Sequence, residues 1–358
     1  IIKWYLKYKE AKAKFKEKPV EEIRKEEKNA EDVKTSTQVP HKRLGVWLSA
    51  VIMAIVIIIG VLYFTGVIKK QELEKSIAVL PFRIESRDTT YLYFINGLME
   101  RVTTNLQLIK SFRVLSRTSM EQYRNTDKTI PEIAREQNVN YILEGSGQKY
   151  GNSFSVTVQL IKAKGKESHL WAKAYDQEIR EVNDYIKIIS EIAVSVAAEL
   201  KTALTPEEKQ LIEKIPTSSL TADDFYQRGN EELTKYELDN RNKEALQNAE
   251  DSFLKALKYD ATFAKAYTGL ARVYLNKHFW NEYFSENFMD SALIFADKAL
   301  SIDDKLSDAY ILRGNCYYAK GLIEKASEEY DRALKYNPND YLAYAQKTKI
   351  SHLLKYYV

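Results

Sequence analysis

The stretch "NYILEGSGQKYGNSFSVTVQLI", residues 140–161, places Gly145-Ser146-Gly147 directly after an apolar run. Phosphate-binding loops begin this way, because backbone amides and a helix N-terminus then converge on an anion. Here the glycines are followed by Gln148-Lys149-Tyr150-Gly151 and then by a second alternating run. No helix N-terminus faces them, so the dipole that would hold a phosphate is absent. Tyr150-Gly151-Asn152 is a turn signal, and the two runs read as a β-hairpin. Gly147 then stands where a strand side chain is expected and marks a bulge or bend.

The remaining reactive groups form no catalytic set. Glu207-Glu208, Asp223-Asp224, Asp303-Asp304 and Glu328-Glu329 are adjacent carboxylates, but each reads as lying at a helix start or on a solvated face. Ser168-His169 has neither an acidic orienter nor a G-x-S-x-G elbow. Arg117-Thr118-Ser119 reads as the end of a strand. Cys316, the single cysteine, reads as a buried helix residue, and His41, His169, His278 and His352 are scattered without metal-ligand spacing. The expectation is a non-enzyme with no catalytic, cofactor-binding or metal-binding residues.

Charge narrows the partners. Residues 1–43 carry 13 Lys/Arg against 8 Asp/Glu, whereas the whole chain is only +4. The basicity belongs to this N-terminal arm, and nothing after it has a basic excess to match a nucleic-acid backbone. The arm reads as a solvated linker or as a Lys-rich amphipathic helix on anionic lipid. Residues 44–68, "LGVWLSAVIMAIVIIIGVLYFTGVI", contain no charge. As a helix they would extend roughly 37 Å, enough to cross a ~30 Å hydrocarbon core with tilt. The arm is the more Lys/Arg-rich flank, so the expected orientation is N-terminus inside.

Between residues 75 and 204 the pattern reads βαβαβββα, two α/β crossovers followed by a meander. "SIAVLPF", "FRVLSRTSM" and "NYILEGS" read as strands, and "SFSVTVQLIKA" alternates Phe154, Val156, Val158 and Leu160 on one face. Phe94, Leu98, Val102, Leu106 and Ile109 have helical spacing. The order and spacing of "SIAVLPF", "YFINGLMERVTTNL", "FRVLSRTSMEQY", "EIAREQNVNYILEGS", "VTVQLI" and "HLWAKAYD" resemble the TolB amino-terminal-domain-like module. In bacterial membrane proteins that module often precedes tetratricopeptide repeats. The resemblance implies a non-catalytic sensing or assembly module, in some proteins joined across the membrane to an adenylate cyclase or a DNA-binding domain.

Residues 219–358 repeat. "SDAYILRGNCYYAKGLIEKASEEYDRALKYNPND", residues 307–340, resembles a tetratricopeptide repeat through Tyr310, Gly314, Tyr317, Ala326, Tyr330, Ala333 and Pro338. Two further copies lie upstream with longer connections, and "YLAYAQKTKISHLL" opens a fourth unit or caps the array. Stacked helix pairs curve, and their first helices line a concave groove. By register Tyr226, Asn230, Thr268, Arg272, Ile311, Asn315 and Tyr318 face it, as partner-binding residues for a protein or peptide.

The expected architecture is therefore a basic arm (1–43), a transmembrane helix (44–68), an α+β mixed-sheet TolB N-terminal-like domain (75–204) and an all-α tetratricopeptide solenoid (219–358). The expected role is a single-pass scaffold of the bacterial inner membrane, its C-terminal domains periplasmic, serving signalling or envelope assembly. Two alternatives stay open. The repeats brace the sheet domain or a homo-oligomer, or the chain is the sensor half of a transmembrane adenylate cyclase or transcriptional regulator whose effector lies upstream of Ile1.

Overall fold

A computed structural model describes residues 73–85, 91–239, 241–279 and 286–357, together with Met53. The basic arm and, apart from Met53, the expected membrane span lie outside the described residues. Among the described residues no helix is long and apolar enough to cross a membrane.

The first half is a mixed sheet with helices. Its strands are β1 (Ser76–Val79), β2 (Arg83–Ile84), β3 (Arg113–Val114), β4 (Tyr141–Tyr150), β5 (Ser153–Lys162) and β6 (Ser168–Glu178). They run in the order β3-β1-β4-β5-β6, with β2 paired to β4. β1 is parallel to both neighbours, whereas β4, β5 and β6 form an antiparallel meander. Helix α1 (Leu92–Gln107) makes the first crossover. α2 (Arg117–Glu121) and α3 (Ile130–Glu136) make the second, and α4 (Val182–Glu199) follows the meander.

The burial pattern explains the layers. Ile77 and Val79 pack with α1 and α4, while Ala78 and Leu80 pack with Met120 of α2 and Ile133 and Ala134 of α3. A parallel strand covered on both faces has to be apolar throughout. β5 instead buries Phe154, Val156, Val158 and Leu160 on one face and exposes Thr157 on the other, so its sequence alternates. The hairpin closes from Tyr150 to Ser153 through Gly151, whose φ of 55° suits glycine.

Two expectations change here. "FRVLSRTSM" is a strand only at Arg113–Val114. Ser116 then accepts a hydrogen bond from the Ser119 amide and starts α2, so Arg117-Thr118-Ser119 is a helix rather than a strand end. Gly147 lies within the regular β4–β5 ladder, and no bulge is needed to explain it. A Cβ there would come within 2.7 Å of the Ser155 carbonyl oxygen across the pair. Close approach of a neighbouring backbone is what requires glycine.

α5 (Pro206–Ile212) leads into antiparallel helix pairs: α6 (Leu220–Leu238) with α7 (Lys243–Tyr259), α8 (Ala264–His278) with α9 (Glu286–Ile302), and α10 (Ser307–Ala319) with α11 (Ile323–Tyr336). α12 (Tyr341–Tyr357) packs on the last pair. Helices cross closely where a small residue meets an aromatic one. A Cβ on Gly229 would lie 2.6 Å from the Phe253 ring, and one on Gly314 would lie 2.6 Å from Tyr330. The middle pair meets the same spacing differently, with Ala271 opposite a helix that carries Ala292 and Ala296. A methyl on each side replaces the glycine and ring.

Candidate protein-interaction groove

The seven residues assigned to the groove by register all lie on α6, α8 and α10, and none of them is fully exposed. Tyr226 packs its ring between Phe253 and Phe263, at centroid distances of 5.9 and 5.0 Å. Asn230 lies one turn further along α6 and is half-buried. Thr268 is buried and donates its hydroxyl hydrogen to the Lys265 carbonyl at 2.7 Å. Arg272 is half-buried and makes no ion pair among the described residues. Ile311 is buried with Tyr330. Asn315 accepts the Tyr330 hydroxyl at 2.8 Å, and the Lys349 ammonium of α12 lies 4.6 Å from the Tyr318 ring centroid.

What fills this end of the groove is the chain's own sheet domain. Arg101 of α1 places its guanidinium 5.9 Å from the Tyr226 ring and pairs with Asp223, one turn earlier on α6. Asp223 is 1% exposed and also accepts hydrogen bonds from the Tyr185 hydroxyl of α4 and the Gln227 amide. Three donors around one carboxylate satisfy it without water. Burial opposes the charge on Arg101, and the Asp223 carboxylate more than offsets this, so the guanidinium stays protonated. Burial, with Asp223 beside it, raises the Tyr185 phenol far above its ordinary range. It is a hydrogen-bond donor at any physiological pH.

The contact continues along α1 in both directions. Asn96 donates to Glu231 at 3.0 Å, and Arg117 of α2 approaches the same carboxylate at 3.7 Å. Tyr93 donates to Asp224, which also takes Arg228 at 2.8 Å. At the other end the Asn339 amide donates to the carbonyls of Gln107 and Ile109, both at 2.9 Å. The 16 residues of α1, about 24 Å of helix, therefore run from the first helix pair to the turn before α12. Asp223 and Asp224 lie at a helix start, one of the two placements expected for the paired acids, but they meet the sheet domain rather than water.

The register argument missed Asp223, Lys265 and Asp308, each three residues before Tyr226, Thr268 and Ile311. The signal was present, since all three repeats carry a charge at that position. Among the described residues no group of three or more His, Cys, Asp or Glu could hold a metal ion. Cys316 is buried, which pushes its thiol up to about 12.

Residues 73–193 match the family model described as the second domain of HilA/YgeH-like transcriptional regulators. That description differs from the TolB-like module expected from the sequence. Residues 307–340 match the tetratricopeptide repeat, so a repeat of that kind is present. A putative adenylate cyclase 3 of Rhizobium meliloti (strain 1021) is 28% identical over 230 residues, which cover 64% of this chain and 38% of that protein. The chain thus spans well under half the length of this curated relative. Among solved structures, the first TPR of Spaghetti (RPAP3) bound to an HSP90 peptide is 22% identical, covering 40% of this chain and 99% of its own, with a TM-score of 0.31. The Arabidopsis OM64 TPR domain is 19% identical and covers 37% and 95%, with a TM-score of 0.30.

Proposed function

We propose that the chain is a non-catalytic interaction module whose repeats receive a protein or peptide partner and whose sheet domain responds to it. The observation that carries this reading is the seating of α1 against the first helices of the repeats, through Arg101, Asp223 and Asn339. A partner entering the groove beside Tyr226 and Arg272 would meet α1 there, so binding and domain docking are coupled. The tetratricopeptide match supports a scaffold role. In this reading residues 44–68 anchor the module in the bacterial inner membrane. The N-terminus is then cytoplasmic, and the TolB-like domain and repeats are periplasmic.

The test is capture of partners by the full chain in native membranes, with and without Arg272→Glu and Tyr318→Ala. The reading expects a protein retained by the parent and lost from both variants. Retention of the same proteins by all three chains refutes it. Reporter fusions at each end test the orientation.

A second reading is favoured by the names of two matches. One is to a domain of transcriptional regulators, the other to a putative adenylate cyclase that extends well beyond this chain. In that reading the module is the sensor half of a longer protein with its effector upstream of Ile1. Sequencing the gene upstream decides between them, because a start codon immediately before the arm removes the second.

A further inference from the structure

The sheet domain and the repeats do not close completely on one another. A cavity of about 180 Å³ lies between α1, α4 and α5 on one side and α8, α10 and the turns before them on the other. Leu108, Ile186 and Ile189 give the sheet-domain wall an apolar surface. Four cationic side chains reach the cavity, Arg101, Lys214, Lys265 and Lys305, against the carboxylates Asp303 and Asp308.

Their pairing is unequal. Arg101 is held by Asp223, Lys214 pairs with Asp303 at 2.6 Å, and Lys305 reaches the Gln210 side chain at 3.5 Å. Lys265 has no hydrogen bond or ion pair from its ammonium among the described residues. Burial, and then the charge of Arg101, lower its pKa, while Asp308, Glu100 and Asp223 oppose the shift. Lys265 is half-buried, and a cation partly withdrawn from water gains from an acceptor brought into the cavity. Engineered apolar cavities of ~150 Å³ take up benzene, so this one has room for a ligand of about benzoate size.

We propose that this cavity binds a small organic acid, its carboxylate on Lys265 and its apolar body against Leu108, Ile186 and Ile189. Asp308 limits the preference to a single negative charge, since a second carboxylate would face it. Both walls contribute, so an occupant stabilises the docked arrangement by an amount that grows with the logarithm of its concentration over its dissociation constant. Binding of the acid here requires no protein partner in the groove.

The probe is benzoate, titrated into the full chain and followed by calorimetry and thermal unfolding. Saturable binding is expected, with neutral benzamide at least tenfold weaker. Lys265→Met should weaken benzoate at least tenfold, and Asp308→Asn should tighten it severalfold. Thr104→Leu, which fills the cavity from α1 and leaves Lys265 in place, should abolish it. The benzamide comparison and Thr104→Leu keep the test decisive if Lys265→Met misfolds. No saturable binding of benzoate or hexanoate overturns the proposal, as does equal binding of benzamide; Lys265 is then satisfied by water alone.

Discussion

Arg101 of α1 and Asp223 of α6 form a buried ion pair between residues 122 positions apart in the chain. It lies where the sheet domain meets the first repeat, and it has little solvent to weaken it. Removing one partner of such a pair leaves a buried charge uncompensated, typically at about 3–5 kcal/mol. Arg101→Met and Asp223→Leu should each lower the unfolding free energy by that order. The double variant should lose much less than their sum. Urea unfolding of the four chains, read as a double-mutant cycle, checks this.

Gly147 tests the ladder. Because the obstacle to a side chain is the Ser155 backbone oxygen, no rotamer change relieves it. Gly147→Val should destabilise by about 1–3 kcal/mol despite the higher β-propensity of valine. A thermal melt of the single variant is enough to check it.

These two positions also show what a sequence does and does not disclose. The alternation of Phe154, Val156, Val158 and Leu160 and the turn at Gly151 are local signals, and the hairpin follows from them. The helical spacing of Phe94, Leu98, Val102 and Leu106 likewise gives α1, because burying one face has a fixed period. α2 was hidden because Val114 and Leu115 extend a strand pattern up to Ser116, and a cap is a single residue. The role of Asp223 was hidden more deeply. Its partners Arg101 and Tyr185 come from helices far off in sequence, and two adjacent acids at a helix start look the same whether water or arginine meets them. The repeat spacing disclosed the paired helices, but not that α1 packs against the first of them.

Gly314 offers a test of packing between paired helices. Gly314→Ala would push a methyl against the Tyr330 ring, within 2.6 Å of its nearest carbon, at a cost of about 1–3 kcal/mol. Gly314→Ala with Tyr330→Ala should lose less than the sum of the two single changes, because it copies the Ala271 and Ala296 solution of the preceding pair. Melting temperatures of the three variants decide it.

Asp340 gives a pH dependence of defined sign. Burial, and then the charge of Asp308, raise its pKa to about 6, against the pull of its hydrogen bonds from the Ala343 and Leu342 amides. The unfolded carboxyl titrates near ~3.9, so between there and about 6 the folded chain holds more protons. This group's contribution to stability therefore falls as pH rises through that window. Asp340→Asn retains an N-cap for α12 and removes the titration. It should be more stable at pH 7 by on the order of 1–2 kcal/mol and show a flatter stability profile between pH 4 and 6. Chemical unfolding at several pH values measures both.

The Asn339 amide, bridging two carbonyls at the end of α1 from the turn after the third repeat, has a consequence for how the chain evolves and folds. The last turn of a helix in one half is completed by a side chain more than two hundred residues away in the other. Neither half is then a free cassette. Shortening or shuffling the repeats would take from the Gln107 carbonyl its donor, so the array length is coupled to the domain that precedes it. The two halves should accordingly unfold together as one cooperative event.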